Sequence, residues 1–365
     1  MPLDANQHSE QHIDQAKSEA FAEQMLSMLN QGALSLMISI GHKTRLFDTL
    51  SNMAPSTSEQ IANSTGLNER YVREWLAAMV TGHIIEYDPA KGTYRLPPEH
   101  AMWLTRDAGM QNMAFQMQYI VMLAKVHEQI VDCFSNGGGV PYASFPDFQS
   151  IMAEESLHVM DNSLLQVILP LVAGLEERLR AGIDVADIGC GSGHALNIMA
   201  QAFPRSRFAG YDFSQEGINA AQAESRQLDL SNTHFEARDV SSLEIQDHYD
   251  FMTAFDSIHD QARPAKVLKA IERALRPGGN FLMLDIRASS RLEENMKHPL
   301  GPFLYTVSCN HCMTVSLADD GAGLGTMWGE QLASQMLHEA GFTQVEVKHV
   351  KGDIANSYYI ASKST

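Results

Sequence analysis

The sequence predicts an α/β chain: a doubly wound, mostly parallel sheet in the C-terminal half, behind a mainly helical N-terminal module. Three observations carry that reading. From Ile183 onward short apolar runs alternate with helical segments, as in a parallel sheet with crossover helices. A string of glycines separates the first of those runs from the helix after it. The N-terminal half instead repeats its apolar residues at helical spacing, with little strand signal before Ile84. A length of 365 residues suits more than one domain. We expect a helical module at 1–105, a helical linker or lid region at 106–180 and the sheet domain at 181–365.

In the N-terminal module, Met25, Met28, Leu29, Leu36, Ile40, Leu46, Phe47 and Leu50 recur at helical spacing. Thr57 or Ser58 caps a short helix over Ile61 and Ala62, Gly66 turns the chain, and Asn68 caps a second helix bearing Val72, Leu76 and Met79. Ile84 to Tyr87 and Thr93 to Leu96, joined through Asp88 to Gly92, read as a hairpin. Helix, turn, helix and a two-stranded wing make a winged-helix pattern. Such a unit often reads DNA. Here the candidate recognition helix sets Glu69 and Glu74 beside Arg70 and Arg73, and the whole chain carries −18. That charge repels phosphate backbones, so dimerisation or lid duty is the favoured role and no nucleic-acid partner is expected.

Composition sets further bounds. Hydrophobic residues make up 44% and charged residues 19%, a globular balance. No window approaches the run of about twenty apolar residues that a membrane-spanning helix needs. Met1 to Ala16 is polar and lacks the basic start and apolar core of a secretory signal. Four cysteines are too few for a disulfide framework, so a reduced, cytoplasmic setting is expected. Cys309 and Cys312 enclose His311 but lack a second ligand pair, so they read as two thiols in an apolar loop and no metal is expected.

The chemistry concentrates in the sheet domain. Ile183–Ile188 runs into Gly189-Cys190-Gly191-Ser192-Gly193 and then a helix, the strand–turn–helix context of a nucleotide site. Glycine is needed where backbone must approach a ligand closely. Asp187 precedes the turn, and Asp212 ends the next strand about twenty residues on, where a ribose diol is read in doubly wound folds. Asp239 and Asp256 follow at the ends of the third and fourth strands, with Phe213, Val240 and Phe255 beside these acids. Ligands bind at the carboxyl ends of such strands, so all of these converge on one crevice. The loop is Gly-Cys-Gly-Ser-Gly after an acid rather than Gly-x-Gly-x-x-Gly, which favours an adenosyl-sulfonium over a dinucleotide.

Together with Leu275-Arg276-Pro277-Gly278-Gly279, these residues resemble the class I S-adenosylmethionine-dependent methyltransferases, over about residues 180–365. The resemblance implies a Rossmann-like domain that binds S-adenosylmethionine and releases S-adenosylhomocysteine. It lays the glycine turn on the methionine part, Asp212 on the ribose and Asp239 on the adenine amino group. The order of the two modules is similar to small-molecule O-methyltransferases that dimerise through the first, which implies a homodimer. Those enzymes carry a His-Asp pair after the fourth strand, matched by His259-Asp260, although Gln261 stands where that group usually has Trp. The chain looks more like winged-helix methyltransferases of poorly defined substrate.

His259 is then the candidate base for an O-, N- or S-acceptor, with a capping or pocket-lining histidine as the other reading. Asp260 orients His259 or caps the helix beginning near Ala265. The stretch Ala288 to Gly329, rich in Pro, Gly and aromatics, reads as a long loop forming a lid or pocket wall. Its Tyr305, His311 and Trp328 are the substrate-side candidates for a small molecule. A regulator sensing S-adenosylmethionine, a binding relic without chemistry and a protein methyltransferase remain as alternatives.

Overall fold

The computed structural model describes residues 13–365; most of the polar lead-in at Met1 to Ala16 lies outside them. The chain divides into two compact units, Met1–Val121 and Met122–Thr365, and the stretch 106–180 contributes to both.

The first unit is helical with a small hairpin. Thr57 and Gln60 close a reciprocal capping box at the start of helix Ser58–Thr65. Asn68 accepts from the Arg70 amide to start Glu69–Thr81. Strands β1 (Glu86–Asp88) and β2 (Thr93–Arg95) form the wing, and Ser56 adds a bridge to Tyr94. Val72, Trp75, Leu76 and Met79 pack with Leu46, Phe47, Leu50 and Ile61 in one core. Arg70 pairs with Glu74 and Arg73 with Glu69 along the outer face of Glu69–Thr81, so its two arginines are balanced within the helix.

The long helix Gln15–Lys43 departs from expectation. Its C-terminal end enters the core: Trp75 Nε1 donates to the Met37 carbonyl at 2.8 Å, and a Cβ on Gly41 would stand 2.6 Å from Phe47 and Trp75. The earlier turns leave Phe21, Met25, Leu26, Met28 and Leu29 exposed, the last at 70%. Helical spacing finds the helix, but it does not say what covers its apolar residues.

The second unit is built on a seven-stranded sheet: β3 (Asp184–Ile188), β4 (Arg207–Asp212), β5 (Thr233–Ala237), β6 (Tyr249–Phe255), β7 (Leu275–Ile286), β8 (Gln344–Lys348) and β9 (Asn356–Ser362). Their order is β5-β4-β3-β6-β7-β9-β8. The first five are parallel, and β9 runs antiparallel to both β7 and β8. β3 is buried along its whole length, as a central strand covered on both faces should be. One core includes Leu196, Met199 and Ile218 from the helices His194–Ala202 and Gln215–Gln227. The other includes Leu268, Ile271 and Leu337 from Pro264–Ala274 and Gly329–Ala340. The architecture is Rossmann-like, as the alternating pattern predicted.

The stretch read as a long loop, Ala288 to Gly329, is instead largely helical. Gly301–Val307 runs through a π-helical turn, Ser308–Cys312, into Met313–Ala318. Pro302 sits in the first turn, where its missing N–H costs nothing. Leu304, Val307, His311, Cys312 and Val315 then face inward. Flanking Gly and Pro mark the ends of these helices rather than an irregular chain.

Candidate active site

The glycine turn leaves β3 with Gly189, Gly191 and Gly193 all at positive φ, from 53° to 70°. The turn is therefore built for glycine, yet its three members do different work. A Cβ on Gly189 would collide with Ser257 at 2.4 Å, and one on Gly193 with Ala221 at 2.5 Å and Phe235 at 2.7 Å. These two serve the packing of the protein rather than the approach of a ligand, which corrects the sequence reading. A Cβ on Gly191 would meet nothing within 4 Å, so this glycine lines open space.

Around that space stand the acids. Asp212 is buried, its Oδ2 accepting from the Gly191 amide and its Oδ1 from the Ser214 amide, both at 2.8 Å. Burial raises its pKa above the usual carboxylate value despite those bonds. Asp187 lies deeper, where the Thr253 hydroxyl donates to its Oδ1 at 2.7 Å, and burial pushes it up to about 7. Burial also raises the Cys190 thiol, with Asp187 and Asp212 adding to the effect. Asp239 is exposed and caps the next turn through the Ser241 amide, while Val240 is buried behind it. Phe213 is 58% exposed, and Phe255 and Asp256 end β6. Every one of these predicted residues lies at the carboxyl edge of the sheet.

This donor set suits a cationic adenosyl ligand. An open glycine cradle adjoins the carboxyls of Asp187 and Asp212, whose pKa burial raises, and a sulfonium or ammonium beside such a group favours its charged form. Among the described residues no cluster of His, Cys, Asp and Glu could hold a metal ion.

Beyond the end of β6 lies His259, buried, with Nδ1 donating to Asp285 Oδ1 at 2.8 Å. Asp285, near the end of β7, is the group that orients His259; the sequence reading offered Asp260 for this. Asp260 lies close enough to feel the histidine's charge, and burial raises it to about 6 against that pull. The Trp328 indole also donates to Asp285 Oδ1, at 3.0 Å, so Trp328 fixes the carboxylate from inside the core. Burial opposes a charge on His259, but the Asp285 carboxylate and Cys312 outweigh it and hold its pKa well above the ordinary value.

His311 is wholly buried in a nest of rings: stacked on Phe148 at 4.0 Å, with Phe145 at 4.6 Å and Tyr142 at 5.8 Å. Tyr142 also meets Phe213 at 5.0 Å, which ties the nest to the nucleotide end of the crevice. Tyr305 is not drawn into this group: it is 38% exposed and takes a hydrogen bond from Asn295. Sequence reasoning missed Asp285, Tyr142, Phe145 and Phe148. Asp285 was detectable as the lone acid in the run Phe281 to Ile286, and the rings as aromatics bracketed by Pro141 and Pro146.

Comparison with known proteins supports a winged-helix domain joined to a methyltransferase domain. Residues 32–106 match a family described as the Rv2258c-like winged HTH domain, and residues 179–341 match a family described as a methyltransferase domain. A fatty-acid O-methyltransferase of Mycolicibacterium smegmatis is 31% identical over 107 residues, which is 29% of this chain and 38% of that protein. The chain thus spans well under half of that curated relative. Two solved structures are similar over nearly the full length. Human N-acetylserotonin methyltransferase, solved with S-adenosylmethionine, gives a TM-score of 0.70 at 17% identity, over 97% of this chain and 99% of that one. A candidate O-methyltransferase of Nostoc punctiforme gives 0.71 at 18% identity, over 93% and 98%.

Proposed function

We propose, from the premise that this chain joins a winged helix-turn-helix domain to a methyltransferase domain, that it methylates a small molecule at oxygen. The methyl donor in this reading is S-adenosylmethionine, which supplies an electrophilic methyl on a sulfonium and leaves as S-adenosylhomocysteine. The observation that carries the reading is that both halves of the chemistry lie at the carboxyl ends of neighbouring strands in one sheet. The open glycine cradle with buried Asp212 stands at the ends of β3 and β4, and the buried His259–Asp285 pair at the ends of β6 and β7.

Asp187, Cys190, Gly191, Asp212, Phe213, Asp239, Val240, Phe255 and Asp256 would hold the donor, with Gly189 and Gly193 packing the turn that carries them. Asp212 has lone pairs to spare for hydroxyl donors, and Phe213 offers an exposed ring face for a base. Methyl transfer needs the acceptor in line with the methyl group, so positioning supplies much of the rate. Rings at Tyr142, Phe145 and Phe148 exclude water from the acceptor's side. His259, oriented by Asp285, receives the acceptor's proton in its neutral form, which the raised pKa confines to the alkaline side, and general-base contributions of this kind are worth about 10²–10⁴ in rate.

Titration calorimetry of S-adenosylmethionine and S-adenosylhomocysteine into wild type and Asp212→Ala tests the site. Micromolar binding that weakens at least about tenfold in the variant is expected, a loss of about 1.4 kcal/mol. No binding to folded wild type sinks the reading.

The exposed apolar turns of Gln15–Lys43 support a homodimer formed through the first unit. Clustered exposed apolar residues such as Phe21, Met25, Leu26, Met28 and Leu29 mark interaction surfaces, and a second copy offers the same apolar face. A monomer in sedimentation at micromolar concentration refutes it. The free cysteines fit a cytoplasmic setting. A DNA-binding regulator is disfavoured by the internally paired Arg70 and Arg73 and by the chain's charge of −18.

A further inference from the structure

The helix Phe148–Ser163 is engaged at both of its ends. At its start Phe148 stacks on His311, and the Gln149 amide donates to the Tyr142 hydroxyl at 2.9 Å, placing a ring that also meets Phe213. Near its finish Asp161 accepts from His194 Nε2 at 3.0 Å. His194 is the first residue of the helix that follows the glycine turn. Its Nδ1 faces Glu224, of the helix Gln215–Gln227, at 2.6 Å. The other oxygen of Glu224 is held by the Asn197 amide at 2.7 Å. Leu164 and Ile168, in the π-helical turn after Ser163, are fully buried and root the chain there.

Two carboxylates on one imidazole dictate its protonation. A neutral ring has a single N–H and donates to one of them; the imidazolium donates to both. Glu224 and Asp161 face the ring from the two helices packed beside it. β4 and β5 also pack on its helix, and their charged residues are engaged elsewhere: Arg207 with Asp184, Asp212 with backbone amides, His234 with Glu236. Burial opposes a charge on His194, but the two carboxylates outweigh it and raise its pKa. Burial likewise opposes a charge on Glu224, and His194 and Asn197 outweigh that and lower its pKa. The partners are unequal: Glu224 is closer and 29% exposed, whereas Asp161 is 57% exposed. When the ring gives up a proton to solvent, the remaining hydrogen stays with Glu224 and a lone pair is turned on Asp161.

Building on the methyl-transfer reading, we propose that His194 is a positioning residue: as an imidazolium it latches the helix Phe148–Ser163 to the helix after the glycine turn, and so holds the ring nest over the acceptor's side. Phe148 lies about 20 Å along the helix from Asp161, at about 1.5 Å per residue. The latch sits beside the buried root at Leu164, so a tilt of about 10° on its release carries Phe148 about 3 Å, enough to unstack it from His311. The latch is fully present below the ordinary histidine value and is lost as pH rises through the raised one. Loss of one proton thereby loosens the nest that keeps water from the acceptor.

Hydrogen exchange along Phe148–Ser163 in the unliganded full-length protein, corrected for the intrinsic effect of pH, tests the latch. Wild-type protection is expected to fall about threefold to tenfold from about pH 6 to about pH 8.5. Asp187 titrates in the same range, so Asp161→Asn decides. An amide accepts from an N–H or donates to a lone pair, so this variant keeps the high protection at both pH values. His194→Gln, which cannot charge, has the low protection at both. Nitrogen NMR of the imidazole shows wild-type His194 with both nitrogens protonated at the lower pH. A neutral His194 there, or a wild-type pH response that persists in Asp161→Asn, overturns the latch. Titrating S-adenosylmethionine into the same wild-type sample separates the failures. Binding without a pH response in protection sinks the latch alone; a pH response without binding sinks the methyl-transfer reading, and with it the latch's place in that reaction.

Discussion

Two aspartates three residues apart on β3 have opposite environments. Asp184, at the strand's amino end, is gripped by Arg207 at 2.6 Å and Arg276 at 2.9 Å, and the Arg207 hydrogen bond leads the effects that hold its carboxyl below the usual range. Asp187, at the carboxyl end, has a single hydroxyl for company, and burial lifts it to about 7. One end of the sheet brings its own cations to its acids. At the other end Asp187 and Asp212 are buried among hydroxyl and amide donors. Fold and function are separated here along less than one strand's length.

Replacing Asp184 attacks the paired end. Asp184→Ala removes the partner of Arg207 and one of the two carboxylates on Arg276, which keeps Asp250, and is expected to cost about 1 kcal/mol because both arginines are partly exposed. Urea unfolding at pH 7 measures it, and an unchanged midpoint would show that the pair is ornamental. Because the folded pKa of Asp184 is depressed, its contribution is present above the unfolded value of about 3.9 and is lost as pH falls through the folded one. The variant therefore flattens the acid limb of the stability curve.

Replacing Asp187 acts in the opposite direction. Its folded pKa lies above the unfolded one, so the folded state holds a proton that the unfolded state has lost between about pH 4 and pH 7. Stability then falls as pH rises through that window and is level above it. Asp187→Asn is expected to remove about 2 kcal/mol of decline between pH 5 and 7, read from urea midpoints across the range. A decline of the same size in both proteins would show that Asp187 is already ionised in the free protein.

The smallest effect is the most direct. A cationic ligand settling beside Asp187 favours its carboxylate, so binding S-adenosylmethionine near pH 7 should release about half a proton. Binding heats in buffers of different ionisation enthalpy give that number, and Asp187→Asn should abolish it. Equal heats in all buffers for wild type would separate Asp187 from the donor site.

What the sequence made legible is what local pattern encodes. The β3–glycine–helix unit, the acids at strand ends and the capping box at Thr57 each lie within a few residues of chain. The groups that meet only after folding stayed hidden. Asp285 and His259 are 26 residues apart, and Trp328 reaches Asp285 across 43. The nest around His311 draws on Tyr142, Phe145 and Phe148 from the segment read as a helical linker or lid region. His311 itself was singled out, but as part of a loop, because Gly and Pro near Gly301–Ala318 masked the inward spacing of Leu304, Val307, His311 and Val315.

The strand order also has a consequence for how the protein is made. β8 precedes β9 in the chain, yet β8 reaches the sheet only through β9, which slots between it and β7. Until β9 is made and free to fold, β7 exposes an unpaired edge and β8 has nothing to pair with. A nascent chain in that state presents an adhesive strand to its neighbours. The final seven residues of β9 therefore act as a zip, and a stop codon placed just ahead of Asn356 would yield a chain that holds its glycine turn but clumps before it can be purified.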